Sequence, residues 1–386
     1  MSLSFNWNNP VNVIFGSGKI KLLGEEIKKY GASKVLLITD AGLKKAGVVE
    51  NILEHIPADI KCETYTDVIP EPPMESIAQC AGRVKEGGFE LLIGLGGGSS
   101  IDVTKVVAVM ATNEKSLPEL CGVDNVEKPG LPTIMIPTTA GTGSEVTPIA
   151  IVTNEKEHLK VGIVSSHLFA KTALLDPQLT VPMPPRVTAA TGMDALTHAI
   201  EAFISVNATP MSDVLALEAV KVISRSLRKA FANGEDIEAR EDMHYGSLLA
   251  GMAFANAGVG AVHALAYPLG GEYNIPHGVA NALLLPYVLD SNMIACLERL
   301  ALIGETMGVV PSGASLKEKA MQAVAAVDDL SSDVEIPRSL KEVDIPADAL
   351  EKLAAAATKV TRLLANNPRR LSEDKILEIY KMAYEG

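Results

Sequence analysis

The chain has 386 residues, a length for two or three domains, and 47% of them are apolar, enough for large cores. Its 47 acidic side chains outnumber 34 basic ones for a formal net charge of −13, and no basic cluster exceeds pairs such as Lys28-Lys29, Lys44-Lys45 and Arg369-Arg370. That balance argues against nucleic acid or an anionic membrane as a partner and for a small ligand. Cys62, Cys80, Cys121 and Cys296 are scattered with no C-x-x-C pair, no secretory pattern occupies Met1 to Ser17, and no uninterrupted apolar run has membrane-crossing length. A cytoplasmic protein with reduced thiols is expected.

In chain order, Asn12 to Phe15 reads as a short strand, Ile20 to Tyr30 as a helix, and Val35 to Thr39 as a buried parallel strand, since its apolar run is continuous rather than alternating. Asp40 follows at the carboxyl end of that strand. There it has two readings, an acceptor for a ribose hydroxyl or an N-cap of the next helix. Lys61 to Thr66 is a strand leading into the stiff turn Pro70-Glu71-Pro72-Pro73 and a helix over Met74 to Glu86. Leu91 to Leu95 is another buried strand, after which Gly96-Gly97-Gly98-Ser99-Ser100 opens a helix carrying Asp102 and Lys105. A glycine run between strand and helix lets backbone N–H groups approach a pyrophosphate, although this one is not the G-x-G-x-x-G fingerprint. Thr133 to Pro137 is a strand, and Thr138-Thr139-Ala140-Gly141-Thr142-Gly143-Ser144 is a hydroxyl-rich loop that reads as a polar turn or as a site for ribose and phosphate oxygens. Ile149 to Thr153 and Lys160 to Ser165 form a hairpin across Asn154 to His158, and Ala173 to Leu175 closes this half.

The proline-rich run Val181 to Arg186 is the seam between domains, placed so that 1–183 form an α/β domain and 184–386 an all-helical one. Beyond it, segments of 3.6-residue period follow one another: Arg186 to Ile204, Met211 to Asn233, Ile237 to Ala255, Gly260 to Leu269, His277 to Asn292, Leu297 to Met307, Ser315 to Leu330, Ala347 to Ala354 and Glu373 to Glu385. In the first, Asp194 and His198 stand four apart and share one face. His263 and His277 follow in Ala/Gly-rich segments. One carboxylate and three imidazoles suit Fe(II) or Zn(II) with positions left for a substrate oxygen, while a lone histidine in an apolar helix is more often a hydrogen-bonded core residue.

Asp194-x-x-x-His198, His263 and His277, together with Gly96-Gly97-Gly98-Ser99-Ser100-Ile101-Asp102 and Pro137-Thr138-Thr139-Ala140-Gly141-Thr142-Gly143-Ser144-Glu145, resemble the iron-containing (group III) alcohol dehydrogenases, including their lactaldehyde reductase and 1,3-propanediol dehydrogenase types. The match runs through nearly the whole chain in order. It implies a dehydroquinate synthase-like architecture, an α/β dinucleotide-binding domain followed by an all-α metal-binding domain, with a cleft between them. It further implies NAD(H)-dependent interconversion of a small primary alcohol and its aldehyde, with Asp194, His198, His263 and His277 as ligands of Fe(II) or, alternatively, Zn(II). By the same resemblance Gly97, Gly98, Ser99, Thr138, Thr139 and Thr142 hold the dinucleotide, Asp102 and Lys160 lie near its nicotinamide half, and Asp40 selects NAD over NADP. Ile149, Phe254 and Val259 fall where the substrate pocket is lined, and the family's dimers imply a homodimer or higher homo-oligomer. Two positions depart from the pattern: Glu71 stands where Asn is usual, and Tyr267 where many members place a proton-relaying His. Alternatives of the same architecture are a hydroxyacid–oxoacid transhydrogenase and a dehydroquinate synthase-like lyase. The lyase would need a Lys/Arg-rich pocket, and the ligand-bearing helices are poor in such residues.

Overall fold

The computed structural model describes residues 4–154 and 159–386; the turn expected across Asn154 to His158 falls, after Asn154, outside them. The chain divides into two compact units, Asn9–Met183 and a second made of Pro184–Gly386 with the N-terminal residues up to Asn8.

Among the described residues of the first unit nine strands form two sheets: β1 (Asn12–Phe15), β2 (Lys34–Asp40), β3 (Lys61–Val68), β4 (Leu91–Gly96), β5 (Gly122–Val123), β6 (Thr133–Pro137), β7 (Ile149–Asn154), β8 (Leu159–Val164) and β9 (Thr172–Leu175). Six of them make a sheet in the order β1-β9-β6-β4-β2-β3, parallel at every pairing. Successive residues of a strand face opposite sides, so its continuous apolar runs feed two cores at once. Leu36, Ile38 and Leu92 pack with Ile77, Val84, Val103 and Val106 in one core. Val35, Leu37, Leu91, Ile93 and Leu95 pack with Ile27 and Ile52 in the other.

Strand order also fixes where a ligand can collect. From β2 the chain passes to β3 on one side, then returns to β4 on the other. The carboxyl ends of β2 and β4 therefore flank a topological switch point, the crevice where open parallel sheets bind ligands. Asp40 ends β2, and Gly96 ends β4. The smaller sheet, β5-β8-β7, contains the expected antiparallel pairing of β7 with β8. Strand β5 and the helix Leu117–Leu120 were not foreseen, because elements of two and four residues carry no period.

The second unit is helical: Pro185–Ile204, Pro210–Ala232, Ile237–Ala257, Ala261–Tyr273, His277–Met307, Leu316–Asp333, Leu350–Thr358, Thr361–Leu364 and Glu373–Glu385, with short 3-10 turns at Leu340–Val343 and Ala347–Ala349. Helix Ala261–Tyr273 outruns its expected end at Leu269 and continues through Pro268 until Asn274, whose left-handed backbone (φ 56°) stops it. The two helices expected over His277 to Asn292 and Leu297 to Met307 are one, broken only by a kink at Cys296 (φ −142°). By length and composition this helix could cross a bilayer, although Asp290, Glu298 and Arg299 interrupt its apolar run. It is nonetheless a core element, with 67% of its apolar window buried.

Candidate functional site

Helix Pro185–Ile204 begins with Pro185 at its first position, where a missing N–H costs nothing, and brings Asp194, His198 and Glu201 onto one buried stripe. His263 enters in the first turn of helix Ala261–Tyr273, and His277 is the first residue of helix His277–Met307 with Asn281 one turn on. Close helix approach makes the convergence possible. A Cβ on Gly278 would lie 2.4 Å from the Ala190 carbonyl oxygen, a contact only glycine avoids.

Donor atoms of Asp194, His263 and His277 lie within 4.8 Å of one another. Asp194 Oδ1 is 3.9 Å from His263 Nε2 and 3.9 Å from His277 Nε2. His198 stands apart from this trio: its Nδ1 is 3.9 Å from the other carboxylate oxygen, Oδ2. Its ring is stacked between Phe254, at 4.3 Å, and His263, at 4.7 Å. Burial opposes ionisation of Asp194, but the nearby imidazoles of His198, His277 and His263 and the Asn281 amide outweigh it, and its carboxyl is held below the usual range.

Two residues that the sequence reading left without a role complete the centre. Glu201 Oε2 is 2.5 Å from His263 Nδ1, while its Oε1 accepts the Val262 N–H at 2.7 Å. A carboxylate on Nδ1 fixes the tautomer and turns Nε2 outward as an acceptor. The amide nitrogen of Asn281 lies 2.7 Å from Asp194 Oδ1 and 3.1 Å from Nε2 of both His263 and His277. That nitrogen carries two hydrogens for three acceptors, so the acceptor set exceeds what the protein supplies and fits a cation. Asn281 Oδ1 is buried without a hydrogen-bond partner. The signal for Glu201 was its seven-residue offset from Asp194 in an otherwise apolar segment; Asn281 gave none beyond its four-residue spacing from His277.

In the α/β unit the glycine turn and the hydroxyl loop come together. Gly97 N-caps helix Gly98–Met110, and Thr138 N–H donates to Gly96 O at 3.0 Å. A Cβ on Gly98 would come within 2.8 Å of Thr142 Cγ2, and one on Gly97 within 3.4 Å of Thr139 Cγ2. Asp40 realises its capping role, accepting from Leu43 N–H at 3.0 Å. Asp102 is engaged internally, accepting from Ile151 N–H at 2.8 Å and from the Ser144 hydroxyl, beside the buried Lys105 ammonium. Lys105 itself donates to the carbonyls of Thr147 at 3.2 Å and Ile149 at 2.5 Å. Lys160 Nζ pairs with Glu71 Oε1 at 2.6 Å. Of the remaining expected residues, Tyr267 has its ring 6.2 Å from that of His277, Val259 lies in the loop ahead of helix Ala261–Tyr273 with its carbonyl accepting from Asn366, and Ile149 opens β7.

Models of the iron-containing alcohol dehydrogenases match residues 10–177, and those of the C-terminal part of the same family match residues 188–384. The chain belongs to the iron-containing alcohol dehydrogenase family. It is 47% identical to long-chain-alcohol dehydrogenase 1 of Geobacillus thermodenitrificans over 96% of this chain and 94% of that one. A crystal structure of 1,3-propanediol oxidoreductase superposes with a TM-score of 0.96 at 39% identity, covering 99% of this chain and 100% of the other. That of sulfoacetaldehyde reductase from Bifidobacterium kashiwanohense in complex with NAD+ gives 0.89 at 30%, covering 99% of each. This iron-containing alcohol dehydrogenase is an oxidoreductase that interconverts an alcohol and its aldehyde with NAD(H) and a metal ion.

Proposed function

We propose that the enzyme reduces small aldehydes to primary alcohols and reverses that reaction, with Asp194, His198, His263 and His277 holding one Fe(II), or Zn(II) in its place. The observation that carries this reading is the trio of acceptors around a single amide nitrogen, made by one acidic and two imidazole side chains in an apolar interior. The ion supplies a Lewis acid for the substrate oxygen, and NADH the hydride. What the chain contributes is orientation and exclusion of water. Glu201 aims His263, the Asn281 amide anchors Asp194, and Phe254 against His198 gives an apolar wall that keeps a short carbon chain and not bulk water beside the ligands. Tyr267 places a phenol beside His277, suited to donating the proton that the product alkoxide requires.

In the same reading residues 1–183 bind the dinucleotide through Asp40, Gly97, Gly98, Ser99, Asp102, Thr138, Thr139, Thr142 and Lys160, and residues 184–386 bind metal and substrate, with Ile149, Phe254 and Val259 in contact with the carbon chain. Support comes from the switch point between β2 and β4, beside which the glycine turn and the threonine loop pack. A cytoplasmic homodimer or larger homo-oligomer accords with four reduced thiols and with β1 at the sheet edge. The net negative charge disfavours nucleic acid and membrane partners.

The test is NADH oxidation by anaerobically purified protein reloaded separately with Fe(II) and Zn(II), over a panel of short aldehydes and ketones, with NADPH as control. Turnover of aldehydes with NADH and Fe(II) is expected, reduced at least about tenfold in Tyr267→Phe as befits loss of a proton donor. Bound metal without turnover of any carbonyl would remove the redox reading, and an unimpaired Tyr267→Phe would hand proton delivery to water.

A further inference from the structure

Glu71 sits at a junction that the reaction as described does not use. Its backbone is left-handed (φ 50°), an unusual conformation for a residue with a Cβ. Three contacts hold it there. Its N–H donates to Ser99 Oγ at 3.3 Å, its carbonyl accepts from Thr153 Oγ1 at 3.0 Å, and its carboxylate meets Lys160 Nζ at 2.6 Å. Ser99 lies in the first turn of helix Gly98–Met110, and Thr153 and Lys160 face each other across the β7–β8 pairing. The Lys160 side chain is only 6% exposed, against 34% for Glu71. A nearly buried ammonium needs a counter-charge, and here Glu71 provides it.

We propose that Glu71 determines the strength of dinucleotide binding by occupying Lys160. This rests on the reading of Lys160 as a cofactor residue. A dinucleotide diphosphate at the glycine turn meets two effects of one carboxylate. Glu71 neutralises the cation assigned to the nicotinamide half, whose field would otherwise favour the anionic dinucleotide, and adds its own charge, of the same sign as the phosphates, one residue contact from the N-terminus of helix Gly98–Met110. The enzyme thereby binds its cofactor more weakly than its donors allow, which speeds release after hydride transfer.

The test is a double-mutant cycle on metal-loaded protein, Glu71→Gln, Lys160→Met and the pair, with NADH affinity followed by nicotinamide fluorescence at low and high salt. Gln keeps the size and the backbone contacts while removing the charge. The expected result is NADH binding about three- to tenfold tighter in Glu71→Gln, the range of a partly screened ion pair, with KM for NADH falling in step and the gain shrinking in salt. Lys160→Met weakens binding, and on that background Glu71→Gln keeps only the smaller, salt-sensitive gain from removing its own charge, so the two effects are non-additive. Glu71→Asn, which the left-handed backbone suits, changes affinity in the same direction and guards against a folding defect in the first variant. Unchanged or weaker NADH binding in both Glu71 variants, with Lys160→Met still weakened, overturns the role of Glu71 and leaves that of Lys160 standing. An unaffected Lys160→Met overturns both.

Discussion

A buried carboxyl outside the metal centre gives the α/β unit a pH dependence. Glu145 lies in the loop after Gly143, and burial pushes its carboxyl up to about 7 against its own backbone hydrogen bond and the Lys105 charge. The folded state thus holds a proton that the unfolded state, at the usual 4.5, has already released. Between those two values the native state binds more protons, so stability is full below about 4.5 and falls as pH rises through about 7. At 1.36 kcal/mol per pH unit the loss is on the order of 3 kcal/mol. Glu145→Gln keeps an acceptor for the backbone N–H and removes the ionisation. We expect it to raise the unfolding temperature at pH 8 and leave it unchanged at pH 4, as read by thermal denaturation followed by circular dichroism. Equal shifts at both pH values would assign the effect to packing instead.

At the scale of elements, the metal centre depends on two helices meeting at a glycine. Asp194 belongs to one and His277 to the other, and Gly278 lets helix His277–Met307 reach the Ala190 carbonyl. A methyl at Gly278 would press on backbone rather than on a yielding side-chain tip, with the Asp194 Cβ 3.4 Å away on the same side. Overpacking of this kind costs about 1–3 kcal/mol. The strain falls on the ligand pair, so Gly278→Ala should weaken Fe(II) binding by at least about tenfold while the helical circular dichroism persists, a ligand set misplaced by an ångström losing most of its advantage. Competition with a coloured chelator measures it. Wild-type affinity in Gly278→Ala would show that the helices part without disturbing the ligands. Nothing in the sequence announces this contact, because a glycine one residue after a proposed ligand reads as a cap or a turn, and only the neighbouring helix shows what it is for.

For the molecule as a whole, what could be read without coordinates was whatever is local. The buried strands were legible because Val35 to Ile38 and Leu91 to Leu95 are continuous apolar runs, and the pairing of Asp194 with His198 because a four-residue offset is a property of one helix. Contacts between distant segments were not. Glu71 and Lys160 are 89 residues apart, Glu201 and His263 are 62 apart, and neither pair leaves a periodic trace. Helix His277–Met307, expected as two, runs on through Met293 to Ala295 and bends at Cys296, a kink that no residue type in that stretch announces. The largest consequence of distance is that all four proposed ligands belong to Pro184–Gly386 and all the proposed dinucleotide residues to Asn9–Met183. On that assignment metal would bind the folded helical unit alone and stabilise it by mass action, by about 2.7 kcal/mol at a hundredfold excess over Kd. For a unit of roughly 200 residues that corresponds to about 5–10 °C. Calorimetry of the chelator-treated protein should therefore resolve a lower transition that Fe(II) raises and NADH leaves in place, and a second that NADH raises in the absence of metal. A single transition that either ligand moves equally would mean that the two units unfold as one, and that cofactor and metal are linked through stability as well as through chemistry.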